Sequence, residues 1–121
     1  MKITTTIKLS TYSCELIFTV TDQLKTESDK VYKKHKLKYE DEEGENEGIL
    51  ISADIDKYFL LIDIKYLTHN TIAHEIYHGV VRVTEDRGIV DEEAQAWLCG
   101  HLTGTIYKFL DKKKLEIKHG R

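Results

Sequence analysis

Two histidines stand four positions apart in the second half of the chain, with a glutamate directly after the first: His74-Glu75-Ile76-Tyr77-His78, an HExxH motif. On a helix, residues i and i+4 lie on the same face, so both imidazoles can reach one ion. Zinc binds imidazole nitrogens at about 2.0–2.1 Å and prefers a tetrahedral shell. Glu75 is too close to His74 to chelate comfortably, but it can reach a water on the metal and act as a general base.

The HExxH spacing is informative for a chain of this composition. With the histidine and glutamate content of this sequence, roughly 3% of shuffled chains would contain the motif by chance. The segment also predicts one helix from about Thr68 to Thr84, with Asn70 or Thr71 as its N-terminal cap. Its apolar residues recur at helical spacing and predict a core face, which consists of Ile72, Ile76, Val80 and Val83.

A tetrahedral zinc site with one open position needs a third protein ligand. Glu93 is the predicted ligand, because it lies in the first turn of a second helix that starts near Asp91 and runs to about Leu110. Small residues recur on the same predicted face as Glu93 at Ala96, Gly100 and Gly104. Such residues would let the two helices approach closely, as a shared metal requires.

Other side chains compete with Glu93 for the metal. Glu92 points about 100° away from Glu93 on the helix and is expected to face solvent or to cap it. Glu85 lies in the predicted connection and could bind an imidazole from outside the metal shell. His101 is interpreted as a surface or packing residue, although it could donate to a developing oxyanion. Tyr77 could donate a hydrogen bond to the transition state, but its position inside the motif favours packing in the core. The alternatives left open at the metal are Glu92, Asp91, Asp86 and His101.

The rest of the composition bounds the class of protein. The chain has 121 residues and a net charge of −3, which indicate one domain over residues 1–121 and give no basic stripe for nucleic acid. Its strongly apolar runs are short, as in Tyr58 to Ile62, so no membrane span is expected. The N-terminus has no signal-peptide pattern, which predicts a cytoplasmic protein. Cys14 and Cys99 match no CxxC pattern and are expected to be free and buried.

The remaining segments predict the elements that carry the motif. The stretches KITTTIKL and CELIFTV are typical of two strands paired through Ser10 to Ser13. Asp22 is expected to cap an exposed helix that ends near Leu37, and the acidic run Glu40–Glu47 is expected to form a solvated loop. GILISADIDKYFLLIDI predicts two more strands with a turn at Asp56-Lys57, and the tail after Leu110 is expected to fray. The expected fold is α+β, with a small, mostly antiparallel sheet packed on the HExxH helix and a second long C-terminal helix.

The stretch TIAHEIYHGV…EDRGI…DEEAQAWLCGHL resembles small phage- and prophage-encoded zinc metallopeptidases of the gluzincin class. The resemblance extends back to YSCELIFTVTD and so covers most of the chain. It implies a minimal zincin-like domain in which His74, His78 and Glu93 bind zinc and Glu75 is the base. Trp97 stands where the family more often has tyrosine, and the interval from His78 to Glu93 is shorter than in large gluzincins.

Two zinc-dependent functions are consistent with these residues, and a third possibility is a metal-free interaction domain in which the histidines are incidental. The first is a zinc-dependent metallopeptidase that hydrolyses peptide or amide bonds of a peptide or protein substrate, bound as an extended strand along a sheet edge near His74. Zinc would lower the pKa of its bound water toward 7, and Glu75 would pass the proton to the leaving amine. The alternative is a non-catalytic zinc-binding interaction or regulatory domain of phage or prophage origin, in which the ion ties the two helices together. A fourth protein ligand would favour this alternative.

Overall fold

A four-stranded sheet and three helices make up the fold in the computed structural model, which describes residues 1–38 and 46–119. The strands are β1 (Lys2–Leu9), β2 (Cys14–Thr21), β3 (Gly48–Asp54) and β4 (Lys57–Asp63), and the helices are α1 (Leu24–Lys34), α2 (His69–Asp86) and α3 (Glu92–Lys112). Short 3₁₀ turns, Ser10–Tyr12 and Ile64–Tyr66, follow β1 and β4. The predicted α+β class, with the HExxH helix and a long C-terminal helix, is confirmed.

The strand order is β1-β2-β4-β3, so β1 and β3 lie at the edges of the sheet. The β1–β2 and β3–β4 pairs are antiparallel, whereas the central β2–β4 pair is parallel. A parallel pair needs a crossover between its strands, and here α1 lies in that connection. The sheet is therefore mixed, with the antiparallel pairing that the sequence predicts in both hairpins.

The two faces of the sheet pack against different helices. The larger core lies between the sheet and the pair α2 and α3, and the strand residues in it include Leu16, Phe18, Tyr58, Leu60 and Ile62. The predicted core face of α2 is confirmed, since all four of its residues are buried there. The smaller core, on the opposite face, joins Leu24 of α1 to Ile51 and Leu61. Helix α2 is thus fixed on the sheet along its whole apolar side.

Capping hydrogen bonds define both ends of α2. Thr68 Oγ1 accepts a hydrogen bond from the Thr71 backbone N–H at 3.1 Å. The predicted caps, Asn70 and Thr71, were therefore wrong, because both residues lie within the helix, which begins at His69. At the other end, Gly88 has a φ of +65° and its N–H donates to Glu85 O at 3.1 Å. The Ile89 N–H donates to Thr84 O at 2.9 Å, which completes a Schellman motif.

Helix α3 begins as predicted, because the Asp91 carboxylate caps it by accepting from the Glu93 backbone N–H at 3.1 Å. The predicted cap of α1 was wrong. The Asp22 carboxylate accepts instead from the N-terminal ammonium of Met1 at 3.0 Å, and no side chain caps α1. This ion pair lowers the pKa of the Asp22 carboxyl.

The segment after α3 does not fray as expected within the described residues. The Lys118 backbone N–H donates to Leu67 O at 2.8 Å, and Leu115 and Ile117 are partly buried against the larger core. Both cysteines are free, as expected, but only Cys14 is buried, whereas Cys99 is exposed. The acidic loop predicted over Glu40–Glu47 lies largely outside the described residues.

None of the described helices combines the length and the apolar character that crossing a membrane requires.

Candidate metal centre

The two motif histidines lie on successive turns of α2, and both side chains are exposed. Their Nε2 atoms are 3.1 Å apart, and their rings are nearly perpendicular, at 73°. Two nitrogens bound to one tetrahedral ion at 2.0–2.1 Å would be about 3.3–3.4 Å apart. The rings therefore have almost the separation that a shared metal requires, and a small rotamer adjustment would supply the rest.

Glu75 completes the cluster from the side that faces the protein. One ligand atom from each of His74, Glu75 and His78 lies within 4.8 Å of the others, so this group could hold a metal ion. Unlike the histidines, Glu75 is only 5% exposed. The Glu75 carboxylate is therefore close enough to the imidazole nitrogens to contribute to an ion site that the histidines share.

Strand β3 flanks the cluster on one side. A Cβ atom built on Gly48 would lie 2.9 Å from Glu75 Cγ, and one built on Gly79 would lie 3.9 Å from Leu50 Cδ1. A Cβ atom at Gly79 would also lie 3.5 Å from Leu16 Cδ1 of β2, so Glu75 and Gly79 mark the side of α2 that faces the sheet. Since successive helical residues are about 100° apart, the histidines project from the adjacent, outer side of the helix. Strand β3 therefore packs against the side of α2 next to the one that carries the histidine pair.

A groove between α2 and α3 flanks the cluster on the other side. Tyr77 and Val81 line this groove from α2, and Cys99 is among the α3 residues that line it. The Tyr77 ring is next to that of His78, with 6.4 Å between their centroids. Tyr77 is 66% exposed, so the expectation that it packs in the core was wrong. The candidate metal centre thus lies on the outer surface of α2, between a free strand edge and an apolar groove.

The structure does not bring Glu93 into the cluster. Its carboxylate is exposed and is not one of the ligand atoms that meet at the histidines. His69, at the start of α2, contacts Tyr107, near the end of α3, at 2.7 Å, so the two helices run antiparallel. The first turn of α3 is therefore level with the last turn of α2, about two turns beyond His78. Glu93 as third ligand stays a prediction.

The alternative ligands are placed elsewhere as well. Asp91 caps α3, and Glu92 lines the groove. Asp86 Oδ2 accepts a hydrogen bond from the Tyr58 hydroxyl at 2.6 Å. His101 is exposed and stacks on Trp97, with 5.1 Å between ring centroids and 6° between ring planes. Among the described residues, none of these four joins the ligand atoms of the histidine cluster.

The expected role of the small residues on α3 was wrong. A Cβ atom built on Gly100 or Gly104 would meet nothing within 4 Å, and both glycines are exposed. The face of α3 that packs inward is formed by Leu98, Leu102 and Ile106. Gly100 follows Leu98 by two positions and so projects about 200° away from it. The glycines therefore face solvent and do not bring the two helices together.

A hydrogen-bond network fixes the C-terminal end of α2. Arg87 donates through Nη1 to the Tyr58 hydroxyl at 2.9 Å, through Nε to Tyr12 O at 2.8 Å, and through Nη2 to Ile55 O. Burial raises the pKa of Tyr58 to about 12, and the hydrogen bond to Asp86 adds to this increase while Arg87 opposes it. The network joins α2 to β4 and to both hairpin turns, so it fixes the position of α2 on the sheet.

Two features of the site are absent from the sequence predictions. Gly48 was interpreted only as the start of a strand, although an isolated glycine in a strand can signal close backbone approach. The groove depends on how far apart α2 and α3 lie, which no local pattern encodes.

No protein-family model matches the chain, and no curated protein or solved structure matches it significantly. The structure by itself shows a small α+β domain with a His/Glu/His group that could hold a metal ion.

Proposed function

We propose that this protein is a zinc-dependent metallopeptidase whose centre is the histidine cluster of α2. The observation that carries the proposal is the separation of 3.1 Å between the Nε2 atoms of His74 and His78, with the Glu75 carboxylate beside them. HExxH helices of metalloproteases need two imidazoles on one ion and a carboxylate one water away. The exposed position of the histidines would also let a substrate as large as a peptide reach the ion.

The residues take distinct roles in this proposal. His74 and His78 hold the ion through their Nε2 atoms. Zinc bound there would act as a Lewis acid and lower the pKa of water toward 7. Glu75 accepts the proton of the attacking water and delivers it to the leaving amine. Because Gly48 leaves no free space beside the Glu75 side chain, β3 restricts the orientations that this carboxylate can adopt.

Glu93 is kept in the proposal as the third ligand. Its support is its position in the first turn after the HExxH helix and the resemblance to gluzincins. Ligation would require the first turn of α3 to approach the histidines, since the described geometry places Glu93 level with the end of α2.

The substrate in this proposal is a peptide that binds along β3. The strand lies at an edge of the sheet, and no described strand pairs with its outer side. A free edge offers backbone N–H and C=O groups to an extended peptide. A peptide paired there would pass beside the histidines, because Gly48 and Leu50 of β3 lie against Glu75 and Gly79 of α2. This position brings a backbone amide toward the proposed base.

The substitution Glu75→Gln tests the mechanism directly. We expect the variant to retain as much zinc as the wild type, measured by mass spectrometry, because the two imidazoles are intact. Hydrolysis of a quenched fluorescent peptide mixture should fall by about 10²- to 10⁴-fold, the usual contribution of a general base. Glu116→Gln, an exposed glutamate after α3, is the control and should keep full activity. Wild-type turnover in a clean Glu75→Gln preparation would contradict the proposal.

A non-catalytic zinc-binding interaction domain is the second candidate. The exposed apolar groove beside the cluster favours it, because such surfaces are typical of protein–protein contacts. In that case zinc would raise the unfolding temperature of the wild type, and neither the wild type nor Glu75→Gln would hydrolyse peptides.

A further inference from the structure

The groove between α2 and α3 has a volume of about 500 Å³. This volume lies in the range of sites that bind small ligands or single peptide side chains. Apolar residues form most of its wall, and Val90, in the connection at one end, is 90% exposed. Exposed apolar surface that is rimmed by polar groups is characteristic of binding sites.

The charged side chains that line the described part of the groove are acidic. Of the described residues that line it, only Glu85 and Glu92 are charged at neutral pH. Glu85 lies in the last turn of α2 and Glu92 in the first turn of α3, so the two carboxylates are at the same end of the groove. Within the described chain, neither carboxylate pairs with a basic side chain. This end of the groove therefore carries two carboxylates that form no ion pair with the described basic side chains.

The distance between Tyr77 and the two carboxylates limits what can contact both. With a rise of 1.5 Å per residue, Tyr77 and Glu85 are about 12 Å apart along α2. An extended peptide rises about 3.3 Å per residue and spans this distance in about four residues. The shape and the charge of the groove thus fit a peptide segment better than an anionic ligand such as a nucleic acid or a phospholipid headgroup, which the two carboxylates would repel.

We infer that this groove binds a peptide segment of another protein that carries an aromatic or aliphatic side chain and, about four residues away, a lysine or arginine. The apolar side chain enters between Tyr77, Val81 and Ala96. The cation lies between the carboxylates of Glu85 and Glu92. The site does not include the histidine cluster, so the inference is independent of the proposed hydrolysis.

The test is a selection from a random display library of twelve-residue peptides on the immobilised Glu75→Gln protein, which cannot cleave them by the proposed mechanism. We expect the enriched peptides to share an apolar residue and a basic residue at about this spacing. Fluorescence anisotropy with a synthetic, labelled form of the most enriched peptide then measures its Kd. The double variant Glu85→Gln/Glu92→Gln should weaken binding by about fivefold or more, since two partly exposed ion pairs are lost. Val81→Asp should weaken it further.

The matched control is Asp111→Asn, which removes an exposed carboxylate from the last turn of α3, far from the groove. It should bind the peptide like the wild type, and wild type and Glu75→Gln should bind with equal Kd. Circular dichroism checks that each variant is folded. The inference is overturned if no peptide is enriched, if the enriched peptides lack a basic residue, or if the double variant binds as tightly as Asp111→Asn. It is also overturned if light scattering shows a dimer and Val81→Asp converts it to a monomer, because a second copy would then cover the groove.

Discussion

Gly48 lies against Glu75 so closely that a Cβ atom at position 48 would stand 2.9 Å from Glu75 Cγ and 3.0 Å from Leu61 O. One of these neighbours is the proposed base and the other is backbone of the adjacent strand. Only glycine lets the start of β3 approach α2 this closely. The edge strand β3 and helix α2 are therefore in close contact at the residue that we propose as the base.

Gly48→Ala should destabilise the protein and disturb the site. The Leu61 carbonyl cannot rotate away, so either β3 or the Glu75 side chain must shift, at a cost of about 1–3 kcal/mol for overpacking. Chemical denaturation measures this loss. Zinc content should stay near the wild-type value because the histidines project from a different side of α2 than the one that contacts Gly48, whereas any peptidase activity should fall.

Gly104→Ala is the matched control for that substitution. Gly104 is an exposed helical glycine whose Cβ would meet nothing within 4 Å. Alanine has the higher helix propensity, so this variant should gain about 0.5–1 kcal/mol in the free energy of unfolding. If both variants change the free energy of unfolding in the same direction, the close contact at Gly48 does not determine which residues position 48 tolerates.

His74→Ala and His78→Ala should each abolish zinc retention. Both side chains are exposed, so the free energy of unfolding of the metal-free protein should change by less than about 0.5 kcal/mol. Isothermal titration with zinc at pH 7.5 measures the affinity. His101→Ala, which removes an exposed histidine that stacks on Trp97, should bind zinc like the wild type. Undiminished zinc affinity in both motif variants would show that zinc binds elsewhere on the protein.

The comparison of Glu93→Ala with Glu92→Ala decides the third ligand. These neighbours lie in the same helical turn, so they alter the charge near the start of α3 equally. If Glu93 ligates zinc, its variant should lose at least about tenfold in affinity while Glu92→Ala stays near wild type. Unchanged affinity in Glu93→Ala would exclude Glu93 and leave two imidazoles and Glu75 as the protein's donors.

Tyr58→Phe should destabilise the protein in a pH-dependent manner. At neutral pH the substitution removes the hydroxyl to which both Asp86 and Arg87 are hydrogen-bonded, which costs about 1–3 kcal/mol in the free energy of unfolding. The folded-state pKa of Tyr58 is raised to about 12 from its ordinary value of 10.0. Its contribution is therefore complete below pH 10 and is lost as the pH rises toward 12. Urea denaturation from pH 8 to pH 11.5 should show the difference between wild type and variant shrinking above pH 10.

Periodicity alone was enough to predict the elements that carry the site. Ile72, Ile76 and Val80 recur at helical spacing, and KITTTIKL alternates as a half-buried edge strand does. These patterns reflect burial on one side of an element, which is a local property of the sequence. The HExxH spacing is equally local, and the structure brings its two imidazoles to 3.1 Å.

What could not be predicted depends on how the elements sit against one another. Small residues such as Gly100 suit a close helix crossing and an exposed face equally well, and only the packing of Leu98 and Leu102 decides between them. The proposed approach of Glu93 depends on the same crossing. The burial of Glu75 depends on Gly48, which is distant in sequence and comes next to it only when β3 pairs with β4.

The bridge between Thr68 and Lys118 makes the cap residue of the histidine helix part of a long-range contact. Thr68 holds the first turn of α2, while Leu67 accepts the Lys118 N–H from the last described segment of the chain. Leu115 and Ile117 of that segment are only partly buried, so its detachment should be among the lower-energy opening events of the native state. Amide hydrogens in the first turn of α2 would then exchange with solvent faster than those near Ile76. Their exchange rate would report how often the start of α2 loses its contact with the segment around Lys118.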